Sequence, residues 1–127
     1  MAADTSIPAN AKAVVAEVAA AVERFIAGGQ GWTIYIDKMG LSPADRQAIR
    51  DLLGEGGLRI SLENSAEPAE WLESGVSGVW YGVYYDRSRQ RPLLETLEVG
   101  AFPAVAAAQA EDIAAGLEGL RRQLAEI

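Results

Sequence analysis

The chain has 127 residues, a formal charge of −7, and neither cysteine nor histidine. That length suits one hydrophobic core, and the eleven Lys and Arg are too few and too scattered to neutralise a phosphate backbone, so a nucleic-acid partner is not expected. Disulfides, thiolate nucleophiles, soft-metal ligands and the usual imidazole base are excluded, leaving carboxylates, Lys, Arg, Tyr and hydroxyls for any chemistry.

Residues 1–9 are expected to form a flexible N-terminus ahead of a single domain spanning 1–127. Asp4 stands early and no basic segment precedes an apolar run, so the start does not read as a secretory signal. No apolar stretch approaches the roughly 20 residues that cross a bilayer. The expectation is a soluble, cytoplasmic protein without membrane insertion.

From Asn10 to about Ala27, Val14, Val15, Val18, Val22, Phe25 and Ile26 recur at helical spacing, with Asn10 as the cap and Gly28-Gly29 as the stop. Trp32 to Asp37 alternates as a strand, with Trp32, Ile34 and Ile36 on one side. Ser42-Pro43-Ala44-Asp45 is a helix start in which Ser42 caps, Pro43 takes the first turn and Asp45 favours the positive end of the dipole. Ala48, Ile49, Leu52 and Leu53 give that second helix its buried stripe, and Gly54 ends it.

Strands follow over Leu58–Glu63, more weakly over Ala69–Ser74, then over Val79–Tyr85 and Leu93–Val99. In the last, Leu93, Leu97 and Val99 share a side with Glu95, which must find solvent or a partner. Arg87, Arg89 and Arg91 between these strands read as a solvated turn rather than an anion site. Residues 104–108 suit a short helical turn, and Ile113, Leu117, Leu120, Leu124 and Ile127 mark a C-terminal helix interrupted by Gly116 and Gly119. The order predicts an α+β fold: a mostly antiparallel or mixed sheet of about four or five strands with helices packed on one face.

Gly54-Glu55-Gly56-Gly57 fits neither dinucleotide nor phosphate-loop spacing and follows a helix instead of opening one, so it reads as a helix stop with Glu55 presented at a tight turn. No spacing forces two carboxylates into a catalytic or metal-binding pair, and no cofactor is expected. The aromatic run Val79–Tyr85 puts Trp80, Gly82 and Tyr84 on one face. Val79, Tyr81, Val83 and Tyr85 take the other; one face must meet the helices, and the remaining one is either an interaction surface beside Arg59, Ser61, Leu94, Thr96 or Glu98 or is itself covered as core.

Taken together, Leu41-Ser42-Pro43-Ala44-Asp45-Arg46, Leu53-Gly54-Glu55-Gly56, Gly78-Val79-Trp80 and Leu94-Glu95-Thr96-Leu97-Glu98-Val99, closed by a helix near Ala110-Glu111-Asp112, resemble the HupH/HyaF hydrogenase expression family. The resemblance runs from about Ile34 to the C-terminus. It implies an accessory protein for maturation of nickel–iron uptake hydrogenase, binding a hydrogenase subunit or another maturation factor, and not itself an enzyme. It supplies no catalytic residue. For partner binding the chain offers Glu55, Trp80, Tyr84 and Glu98. The competing readings are a small-ligand or hard-metal enzyme built on carboxylates, and a structural homodimer.

Overall fold

The computed structural model describes residues 6–127. Residues 1–5 of the expected flexible start therefore lie outside the described residues. Three α-helices and five strands follow one another as α1 (Ala9–Gly28), β1 (Trp32–Tyr35), α2 (Pro43–Leu53), β2 (Arg59–Leu62), β3 (Ala69–Glu73), β4 (Val79–Tyr85), β5 (Pro92–Val99) and α3 (Ala110–Ala125). The strands form one antiparallel sheet in the order β1-β5-β4-β3-β2. The architecture is α+β.

Local chemistry explains most boundaries. Ser42 Oγ accepts from the Asp45 amide at 3.0 Å while the Asp45 carboxylate accepts from the Ser42 amide at 2.9 Å, a reciprocal capping box that starts α2. Gly29 ends α1 at φ 73° with its amide on the Phe25 carbonyl, a left-handed stop that side-chain-bearing residues resist. Asn10 does not cap α1. The helix begins one residue earlier, after Pro8, and the Asn10 amide instead donates to Asp45 at 3.4 Å, tying α1 to α2.

β1 is shorter than the alternation suggests. At the position where its ladder would continue past Tyr35↔Thr96, the Glu95 amide donates to the Asp37 carboxylate at 3.2 Å, and Ile36–Lys38 turn into a 3₁₀ helix. Leu93 sits at a register shift between β4 and β5 and is exposed rather than part of the buried stripe. Glu95, the carboxylate on the apolar side, finds its partner in Arg46 of α2.

α1 and α2 pack on one face of the sheet. Ala11, Val14, Val18 and Ala21 from α1 and Ile49 and Leu53 from α2 meet Ile34, Val79, Tyr81, Leu97 and Val99, all buried. The helix faces turn slightly from the periodic reading: Ala11 and Ala21 are buried, whereas Ile26 and Leu52 are exposed. α3 departs from it outright. It was expected to join the helices over the sheet, yet none of its residues is buried.

Candidate functional site

The alternation of β-strands sends Trp71 of β3, Trp80, Gly82 and Tyr84 of β4, and Thr96 and Glu98 of β5 to the face opposite α1 and α2. No helix covers it. It is closed instead by its own large side chains and by the segment after β5, where Pro103 is fully buried and Ala106 packs on a cluster of Ala69, Trp71 and Trp80.

At the centre lies Glu98, 6% exposed. One of its oxygens, Oε2, accepts three hydrogen bonds: from Thr96 Oγ1 at 2.6 Å, from the Tyr84 hydroxyl at 2.8 Å and from Trp71 Nε1 at 3.1 Å. Thr96 and Glu98 are two apart on one strand and so share a face, while Tyr84 and Trp71 arrive from the next two strands. The rings of Trp71 and Tyr84 meet edge to face, centroids 5.6 Å apart. Burial, then the hydrogen bond to Glu98, push the Tyr84 phenol far above its ordinary value of 10.0, because ionising it would expose a second negative charge to the carboxylate in a desolvated place.

Gly82 is the reason this cluster fits. A Cβ there would lie 2.3 Å from Thr96 Oγ1 and 2.6 Å from Glu98 Oε2. The glycine in the middle of an aromatic strand is therefore the space the carboxylate occupies.

Among the described residues no Lys or Arg forms an ion pair with Glu98, although six ion pairs are present elsewhere. Among the described residues its hydrogen-bond partners are neutral donors, the hydroxyls of Thr96 and Tyr84 and the indole of Trp71. Glu98 also lines a groove of about 820 Å³, which runs between the C-terminal end of α1, β1 and the segment after β5. The groove's aromatic lining is half in water: Trp32 is 41%, Tyr35 48% and Phe102 46% exposed. A buried carboxylate beside partly exposed aromatic rings is suited to binding a cationic or amphipathic group of another molecule.

The four residues singled out from sequence separate into two places. Trp80, Tyr84 and Glu98 come together on the helix-free face. Trp80, however, is 1% exposed, with its indole on the Gly100 carbonyl at 2.9 Å and its ring edge-on to Phe102, so it holds the groove wall and does not itself meet solvent. Glu55 lies elsewhere, exposed at the end of α2 near Arg50, beside the turn whose Gly54 carbonyl accepts from the Tyr81 hydroxyl at 2.6 Å on the helix-covered side. Trp71 is not singled out by the sequence, and Gly82 and Thr96, placed on or beside the aromatic face, are not picked as site residues, although the two-residue spacing of Thr96 and Glu98 and the lone glycine among aromatics signal a packed polar spot.

The Arg-rich turn carries no free cluster: Arg89 pairs with Glu63 at 3.2 Å and Glu70 at 3.3 Å and lies over the Tyr85 ring. Among the described residues, no three acidic side chains gather where a metal ion could sit. None of the described helices is long and apolar enough to cross a membrane.

Comparison with known proteins identifies the family. The chain is 38% identical over 80 residues to the hydrogenase expression/formation protein HoxQ of Azotobacter vinelandii, covering 63% of this chain and 28% of that protein. It is 33% identical over 88 residues to the hydrogenase expression/formation protein HupQ of Azotobacter chroococcum mcd 1, covering 69% of this chain and 30% of that one. It thus spans under a third of the length of these curated relatives. The solved structure of the hydrogenase expression protein HupH from Thiobacillus denitrificans ATCC 25259 superposes with a TM-score of 0.81 at 22% identity, over 96% of this chain and 100% of the other, and shares its fold. Residues 9–127 match the family described as "HupH hydrogenase expression protein, C-terminal conserved region", and the chain belongs to that family.

Proposed function

We propose that the chain is a non-catalytic accessory protein in the maturation of nickel–iron uptake hydrogenase, acting in the cytoplasm by binding a hydrogenase subunit or another maturation factor. The observation that carries this reading is Glu98: a nearly buried carboxylate, held by three neutral donors and lining an aromatic groove, with no Lys or Arg paired to it among the described residues. A partner that lays a Lys or Arg side chain into the groove supplies a charge to Glu98, and Tyr35 and Phe102 bury apolar surface around it, while Trp32, with Arg24 over its ring, closes the groove from the helix-covered side. Tyr84 and Trp80 act one step back, holding Glu98 and the groove wall in place. The same features fit catalysis poorly. The reactive oxygen of Glu98 is already occupied by three donors, and the Tyr84 phenol is pushed away from any useful acid or base range.

The test is affinity capture of the tagged chain from cells making a nickel–iron hydrogenase, followed by identification of what is retained. A hydrogenase subunit or an accessory protein should be recovered, and Glu98→Gln should weaken its retention about tenfold or more. Recovery of neither, across growth conditions that induce the hydrogenase, would refute the reading.

A further inference from the structure

The three hydrogen bonds that Glu98 accepts all fall on Oε2. Oε1 accepts none among the described residues, yet no fully buried side-chain oxygen there lacks a partner, so Oε1 is the oxygen that meets the groove. On the β4 side of Glu98 stands Trp80, with Phe102 edge-on to it. On the other side is β1, where the small Thr33 lies directly opposite Glu98 and shares its face.

β1 is an edge. Among the described residues it pairs with β5 alone. The Gly100 amide donates to the Gly78 carbonyl at 2.9 Å, and along an antiparallel strand every second residue turns its backbone to the same side, so Thr96 and Glu98 bond β4 while Leu97 and Val99 bond β1. Leu97 and Val99 stand opposite Ile34 and Trp32. The N–H and C=O groups of Thr33 and Tyr35 therefore point away from β5, to the open edge. A strand added there would lie about 10 Å from β5, two strand spacings, and only the long stems of Lys and Arg carry a positive charge over Thr33 across that gap. A second copy of this edge does not suit, because Gly31-Trp32-Thr33-Ile34-Tyr35 holds no Lys or Arg, whereas a net charge of −7 favours a basic segment.

We infer that the partner docks as a sixth strand: an extended segment laid antiparallel on β1, with a Lys or Arg opposite Thr33 reaching Glu98 and an apolar residue two places to either side, one beside Tyr35 and one toward Phe102. The inference rests on the partner-binding reading of the Glu98 groove and adds the form of what binds. Main-chain bonds to Thr33 and Tyr35 supply affinity, and the basic side chain sets the register.

The probe is a blocked peptide, Thr-Leu-Thr-Arg-Thr-Leu-Thr, titrated into the isotope-labelled full chain. Hydrogen exchange at the Thr33 and Tyr35 amides should slow about tenfold, while the Trp32 and Ile34 amides, already bonded to β5, keep their rates. Replacing the peptide's Arg by Glu, or methylating the Arg backbone nitrogen that faces Thr33, should weaken binding about tenfold or more; methylating the next Thr nitrogen, which points away from β1, should not. In capture from cells, Thr33→Pro, which removes an edge donor from a strand position that tolerates proline, should lower partner retention as Glu98→Gln does. If Thr33→Pro does not fold, the methylated peptides decide. Loss of the partner with Glu98→Gln but not with a folded Thr33→Pro overturns the inference and leaves the Glu98 reading standing. Unchanged Thr33 and Tyr35 amides at millimolar peptide overturn it too, as does self-association of the chain that Thr33→Pro abolishes. Recovery of no hydrogenase protein counts against the partner reading, and the peptide result judges the strand edge without it.

Discussion

On one face of the sheet, Ile34, Val79, Tyr81, Leu97 and Val99 are buried by the side chains of α1 and α2. On the other, Trp71 and Trp80 are buried just as deeply with no helix above them. The first face follows the ordinary rule that a sheet and an amphipathic helix hide each other's apolar surface. The second fills its layer with two indoles, and each indole N–H, once out of water, needs an acceptor. Trp80 takes the Gly100 carbonyl and Trp71 takes Glu98. A carboxylate is therefore built into the second face as part of its packing, and the same carboxylate borders a groove. Covering a sheet with aromatic side chains instead of a helix leaves a nearly buried carboxylate held by neutral donors at the border of a groove, whereas Glu95, the carboxylate of the helix-covered face, is paired with Arg46.

If the second face is a true core, removing its main filler should cost as much as a core residue on the first. Trp71→Ala should destabilise the fold by about 3–5 kcal/mol, at or above Leu97→Ala at about 2–5 kcal/mol, as read by urea unfolding. A Trp71 cost below about 1 kcal/mol would show that only the helix-covered face holds the fold together. Gly82→Ala comes next. Its methyl would collide with both Thr96 and Glu98, and a loss of about 2–3 kcal/mol is expected from overpacking and displaced hydrogen bonds. Combining it with Thr96→Ala removes the nearer collision, so the double variant should be more stable than the sum of the two by about 1 kcal/mol. Simple additivity would mean that the glycine does not make room for the cluster.

The two faces were not equally legible in the sequence. Ser42-Pro43-Ala44-Asp45, the glycine stops and the alternation of Val79–Tyr85 depend on neighbours within a few residues, and the structure keeps all of them. Glu98, Trp80 and Tyr84 share a face because alternation is local and β4 and β5 are joined by a short turn. The bond from Trp71 to Glu98 joins residues 27 apart on strands that do not pair with each other, so it needs the strand order before it can be seen. Asp37 capturing the Glu95 amide likewise joins residues 58 apart, and the alternation through Ile36 gave no sign of it. For α3 the periodicity placed the helix correctly but not what covers it, since an apolar stripe has the same spacing against a sheet, a partner or a second copy.

Smaller substitutions probe the chemistry of the second face. Tyr84→Phe deletes one of the three donors to Glu98 and should cost about 1 kcal/mol near neutral pH. Its clearer signature is alkaline. The folded-state phenol titrates above its unfolded value of 10.0, so above that pH the unfolded chain releases the proton first, and stability falls as pH rises toward the folded value. Tyr81, also raised by burial, adds to the same limb from the helix-covered side. Tyr84→Phe should flatten the loss of stability above pH 10 more than Tyr81→Phe does, as measured by urea midpoints across that range. An equal effect would mean that the carboxylate beside Tyr84 adds nothing.

The smallest effect is expected at Glu55. Its carboxylate is 3.8 Å from Arg50, both side chains are largely in water, and such a pair contributes under about 0.5 kcal/mol. Glu55→Ala should leave unfolding unchanged, and because the residue sits at the end of α2 and not in the groove, it should leave partner retention within about twofold of the unmodified chain, where Glu98→Gln reduces it about tenfold. Side-by-side capture with the two variants decides between the surfaces. Loss of the partner on changing Glu55, with Glu98→Gln behaving normally, would move the binding surface from the aromatic groove to the turn after α2 and leave the Glu98 cluster a purely structural role.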